Sequence, residues 1–128
     1  IGGLVAITAE PLMPSPLAAI LIGGVGGVIV VFGTKLLFSM KIDDVVGAVP
    51  AHLFAGIWGT LAVPITNPDT SFSAQLIGVV SVNAFVFVVA YIAWTIMKAT
   101  IGIRLSKEGE TKGTDVTETG VIAYAIRD

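Results

Sequence analysis

The sequence predicts an all-α fold, the C-terminal part of a polytopic membrane helical bundle, and three observations carry that prediction. Only 12% of its 128 residues are charged and 55% are apolar, whereas a soluble domain carries about 25% charged residues. Mean hydropathy is +0.94. Uncharged runs of 24, 24 and 28 residues separate Glu10 from Lys35, Asp44 from Asp69, and Asp69 from Lys98, and a spanning helix needs roughly 20 predominantly apolar residues. The absence of cysteine excludes disulfides and thiolate metal sites. A net charge of −2 is too small to suggest a nucleic-acid partner.

The elements follow in order. Residues 1–9, Ile1 to Ala9, are apolar without a basic leader, and read as the end of a further helix whose beginning is missing. The chain is thus expected to be a C-terminal fragment of a larger membrane protein. Glu10-Pro11-Leu12-Met13-Pro14-Ser15-Pro16 is a connection that no helix runs through. A span over about 16–40 follows, with Pro16 suited to a first turn. Its Gly23-x-x-x-Gly27 spacing predicts a small-residue surface for close helix packing. The polar break Lys41-Ile42-Asp43-Asp44 leads into a span over about 45–64, and Thr66-Asn67-Pro68-Asp69-Thr70-Ser71 forms the next turn. The last span covers about 73–103, and residues 104–128 form a hydrophilic tail.

Basic residues give an orientation. Lys35, Lys41, Lys98, Arg104, Lys107 and Lys112 fall on one side when the spans are threaded, while loops 9–16 and 66–73 carry Glu10 and Asp69 but no Lys or Arg. The positive-inside rule makes the 41–44 loop and the tail cytoplasmic.

His52, the only histidine, stands within the uncharged run of the middle span. A lone intramembrane ionisable group marks a pathway or site by default; the competing reading is a structural histidine bonded to a neighbouring helix. Helical neighbours Ala48, Val49, Ala55 and Gly56, with Thr60 a turn further, line its side with small residues, as does the adjoining row Gly47, Ala51, Ala55 and Gly59. Leu53, Phe54, Ile57, Trp58 and Leu61 bulk out other faces, and Pro50 is expected to bend the helix near the imidazole. Asp43 and Asp44 precede it, where carboxylates meet the positive helix end; a simple capping role suits Asp43 better than Asp44. No second His, Cys or suitably placed carboxylate accompanies His52 in the spans, so no metal is expected, and nothing singles out Trp58 or Trp94. No nucleophile–base pair or phosphate loop points to an enzyme.

The run Asp43-Asp44-x-x-Gly47-Ala48-x-x-x-His52-x-x-x-Gly56-Ile57-Trp58-Gly59-Thr60-Leu61-Ala62 resembles the tenth membrane helix of the ammonium transporter family, relatives of the Rhesus proteins. Residues Gly3 to Thr8 are similar to the end of that family's eighth helix. Gly102-Ile103-Arg104, Gly113-x-Asp115 and Gly120-x-x-Ala123-Tyr124 resemble its cytoplasmic tail. The resemblance covers nearly the whole chain. It implies an eleven-helix protomer in the plasma (inner) membrane, a homotrimer with one pore per protomer, and ammonium or ammonia as substrate, with no cofactor. His52 would be the second of two pore histidines, with Asp43 and Asp44 at the cytoplasmic start of its helix and Gly23, Gly27, Gly47, Gly56 and Gly59 in packing. The partner histidine, the outer aromatic and hydroxyl, and the gating phenylalanines belong to helices outside this sequence. The tail departs from the family pattern, with Thr119 where histidine is usual and Val121 after the second glycine, which weakens any reading of tail regulation. Thr117 matches a threonine phosphorylated in some plant relatives; an unmodified polar residue is the simpler reading. The resemblance also allows a PII-class regulator on the cytoplasmic face, or a sensor of ammonium that signals through its tail with little flux.

Overall fold

Helices account for all regular structure among the described residues, 1–122, of this computed structural model. The order is α1 (Gly2–Ile7), α2 (Pro16–Ser39), α3 (Val49–Thr66), α4 (Phe72–Thr100) and α5 (Lys107–Lys112), followed by a single π turn, Asp115–Thr119. The first six residues of α3, Val49–Phe54, are π-helical and the remainder, Ala55–Thr66, is α-helical. Helices α2, α3 and α4 are each long and apolar enough to cross a membrane. The chain divides into two units, Ile1–Ala84 and Phe85–Asp128.

Local chemistry sets the helix ends. Ser15 caps α2 by accepting from the Ala18 N–H at 3.3 Å, with Pro16 in the first turn. At the other end the Ile42 N–H reaches back to the Leu37 carbonyl at 3.0 Å and the Lys41 N–H to Phe38 at 3.0 Å. That closure holds Lys41 at φ 57°, a conformation a side chain adopts at a cost and glycine usually supplies. α4 stops at Thr100, short of the expected 103, because Gly102 (φ 74°) turns left-handed and returns its N–H to Met97 at 3.1 Å. α3 begins four residues later than expected and runs through Pro64 to Thr66.

The core of the first unit is where α1 wedges between α2 and α3. Ala6 is 1% exposed and packs with Ile22 and Ala62, flanked by Ile7 and Trp58. Small residues allow this. A Cβ on Gly26 would stand 2.7 Å from both Ala6 Cβ and Gly2 O, and one on Gly3 would stand 2.8 Å from Gly23 O. The helices therefore meet backbone to backbone, the geometry by which small residues let helices associate in lipid. Gly23 takes part, but Gly27 has nothing within 4 Å among the described residues. The expected Gly23/Gly27 surface is corrected to Gly23/Gly26: on a helix of 3.6 residues per turn both spacings lie near one face, and α1 lies on the Gly26 side.

In the second unit, Ser106 caps α5 by accepting from the Gly109 N–H at 3.1 Å. The Arg104 guanidinium pairs with the Glu110 carboxylate, which holds Glu110 below the usual carboxylate range, chiefly through the hydrogen bond. Thr117 donates to the Gly109 carbonyl at 3.2 Å, so the tail carries short local structure where the sequence suggested only a hydrophilic stretch.

Candidate functional site

α3 is seated by Pro50 and Phe54, one turn apart. A Cβ on Gly33 of α2 would stand 2.7 Å from Phe54 Cδ2 and 2.9 Å from Pro50 Cβ, so the two side chains straddle a glycine. Pro50 is fully buried there. It stands in the first turn of α3, where its missing N–H needs no intrahelical partner, and so it does not produce the mid-helix bend expected from the sequence. The Ala55 N–H donates to the Pro50 carbonyl, five residues back, which is the π-helical pattern. Such wide turns occur often at functional sites.

Ala51 and Ala55 are buried beside Pro50, and Gly59, a turn further, meets α1: a Cβ there would stand 2.8 Å from both the carbonyl carbon and the Cα of Ala6. This row faces α1 and α2 rather than the imidazole. His52 points the other way. Its exposed ring lines an open groove of about 230 Å³ together with Leu53, Gly56, Ile57 and Thr60 of α3 and Gly78, Val79, Val82 and Asn83 of α4. Gly56 and Thr60 are the small neighbours expected at its side, whereas Leu53 and Ile57 enter the same wall. The imidazole makes no hydrogen bond among the described residues. Gly56 makes only an ordinary contact, 3.8 Å to Val5 Cγ1, so its lack of a side chain widens the groove.

The acidic pair divides its work. Asp44 accepts from the Ala48 N–H at 2.9 Å through one oxygen and from the Val49 N–H at 2.8 Å through the other. It is the cap of the His52 helix, a role better expected of Asp43, which is exposed and makes no hydrogen bond among the described residues. The reason is reach: Gly47, at φ 68° with open space around it, bends the intervening turn so that its N–H returns to the Asp44 carbonyl at 3.1 Å. Gly47 is therefore a turn residue here and not the packing residue expected.

Two ties escaped the sequence reading. The Trp58 indole donates to the Ile22 carbonyl of α2 at 3.0 Å, joining the α2 and α3 backbones near the core. Glu10 accepts from the Asn67 side chain at 2.7 Å and from the Leu12 N–H at 3.3 Å, linking the two loops that follow α1 and α3. The Asn67 bond is the main reason its carboxyl lies below the usual range. A tryptophan in a glycine-lined span and an acid with an amide at matching ends of two spans were the available signals. In the tail, Arg104 is engaged by Glu110, Gly113 and Gly120 take positive φ, and the Asp115 Oδ1 stands 2.7 Å from where a Gly113 Cβ would be. Tyr124 lies outside the described residues. Among those residues no three His, Cys, Asp or Glu side chains gather as a metal site.

An all-helical chain with three helices of spanning length, and one imidazole open on the middle one, is an integral membrane protein. The sequence profile of the Ammonium Transporter Family matches residues 1–124, and the chain belongs to that family. It is 40% identical, over 94% of its length, to a Synechocystis sp. protein provisionally named an ammonium transporter, and 34% identical, over 97%, to ammonium transporter Amt2 of Archaeoglobus fulgidus. The ammonium transporter of Bacillus subtilis is 30% identical over 97% of the chain. The chain spans 28%, 31% and 35% of the length of these three relatives.

Proposed function

We propose that the whole protein carries ammonium or ammonia across the membrane through a narrow path in each protomer, and that His52 lines it. The observation that carries this reading is the placement of the only imidazole: exposed on a spanning helix, on the groove side, beside a glycine that leaves room for a small molecule. Ammonium and potassium are alike in charge and similar in size, so a wet pore separates them poorly. A dry, narrow one rejects both intact ions through the cost of desolvating charge. Ammonium alone can leave its proton behind and proceed as neutral ammonia. A neutral imidazole offers one donor and one acceptor, which suits a molecule that both donates and accepts, and a second imidazole from another helix would fix its tautomer and offer the released proton a relay.

The basic residues support a cytoplasmic tail in a plasma-membrane protein, and the family supports a homotrimer whose cytoplasmic face a PII-class regulator could cover. Replacing His52 by Ala in the full-length protein is expected to abolish uptake or remove its selectivity. Wild-type ammonium-evoked current with potassium still excluded would overturn the assignment. Tail-dependent signalling with no measurable wild-type flux would instead identify the sensor form of the family.

A further inference from the structure

Helix α4 is exposed along nearly its whole length, and no residue of it is buried. In its first half, however, Gln75, Val79 and Asn83 are half-buried while their neighbours are exposed. The spacing of four places these three on one helical row. Two of them, Val79 and Asn83, form the wall of the groove opposite His52.

Asn83 is the one carboxamide in that wall, set in the interior of an apolar span. Its Nδ2 donates to the Val79 carbonyl at 2.8 Å, which fixes the amide plane and commits a donor, while the carbonyl oxygen keeps its acceptor capacity. On the α3 wall, His52, Gly56 and Thr60 form a row with the same spacing. At 1.5 Å per residue, Asn83 lies about 16 Å into α4 from its start, and Gly56 lies about 15 Å back from the end of α3. Asn83 therefore comes level with the gap at Gly56, between the Thr60 hydroxyl and the imidazole. Pro64, moreover, has no N–H with which to engage the Thr60 carbonyl in the usual helical bond.

We infer that Asn83 is a specificity-determining contact of the His52 path. Its carboxamide oxygen accepts an N–H from the nitrogen compound in transit, on the wall facing the imidazole and one step before it. A bare alkali cation has no N–H to give, and methylammonium gives fewer, so the contact favours ammonium and ammonia over both. The inference rests on the pore reading above.

The test uses the full-length transporter in cells lacking their own ammonium uptake, with ammonium and labelled methylammonium as probes. Asn83→Leu keeps the size and suits lipid; Asn83→Ser keeps a hydrogen-bonding group. Loss of one neutral hydrogen bond corresponds to about a 2- to 10-fold change. Asn83→Leu is thus expected to raise the KM for ammonium by that factor and to narrow the preference for ammonium over methylammonium, with Asn83→Ser intermediate. An unchanged KM and preference in Asn83→Leu, with uptake abolished in His52→Ala, would overturn this inference and leave the pore reading standing. Less protein in the membrane but an unchanged KM would assign Asn83 to helix packing and equally overturn it. Wild-type behaviour of both variants would sink the pore reading itself.

Discussion

Gly59 of α3 and Ala6 of α1 meet through their backbones: a Cβ on Gly59 would stand 2.8 Å from both the carbonyl carbon and the Cα of Ala6. Backbone cannot step aside as the end of a flexible side chain can. Gly59→Ala is therefore expected to cost at least the about 1–3 kcal/mol typical of overpacking. Gly27→Ala, which meets nothing within 4 Å among the described residues, is expected to cost less. Thermal unfolding of the two full-length variants in detergent checks the order; equal stabilities would refute the backbone contact.

Asp44 works as an acceptor of two backbone N–H groups. Asp44→Ala is expected to lose about 1 kcal/mol, within the 0.5–2 range for a lost cap, and Asp44→Asn to recover much of it. If Asn and Ala behave alike in a denaturation series, the carboxylate's charge matters and its capping bonds do not.

Trp58→Phe preserves most of the ring while removing the donor to Ile22. Hydrogen bonds between membrane helices average about 0.6 kcal/mol, with a maximum of about 1.7, so a small fall in stability is expected and a larger one for Trp58→Ala, which also empties core volume. The comparison by thermal denaturation separates the bond from the packing.

Gly33→Ala would press on Phe54 and Pro50, which seat the turn carrying His52. The variant is expected to reduce ammonium uptake at unchanged protein level, and Phe54→Leu in the same chain to restore part of it by making room. Uptake unaffected by Gly33→Ala would show that the imidazole is indifferent to this seat.

The Glu10 tie predicts a pH response. Its folded carboxyl lies below the ordinary value of 4.5. The tie to Asn67 thus contributes fully above that value and is lost as pH falls through the lowered one. Hydrogen exchange at the Leu12 amide, corrected for intrinsic rate, should stay slow near neutrality and accelerate in acid below about pH 4. Asn67→Ala should make exchange fast at either pH.

Counting uncharged residues was enough to find the spans, because lipid demands about 20 apolar residues whatever the tertiary fold. His52 was legible for the same reason: an ionisable group in such a run is conspicuous. What could not be read was which side of each helix meets which neighbour. Glycine at 23, 24, 26 and 27 offers several equivalent stripes, and only the position of α1 selects Gly26. The wide turn at Val49–Phe54 shifts the phase of the stripes on either side of it, so a regular helical wheel put Leu53 and Ile57 away from the imidazole when they share its groove. Asp44 outranked Asp43 because Gly47 folded the turn back, a property of φ that residue spacing does not encode.

The direct backbone contact of α1 with α2 and α3 also bears on movement. Where main chains touch without intervening side chains, no rotamer can change to let one helix slide over another. These three helices are a single stiff block, and any opening or closing of the path has to come from side chains along the groove or from elements outside the block.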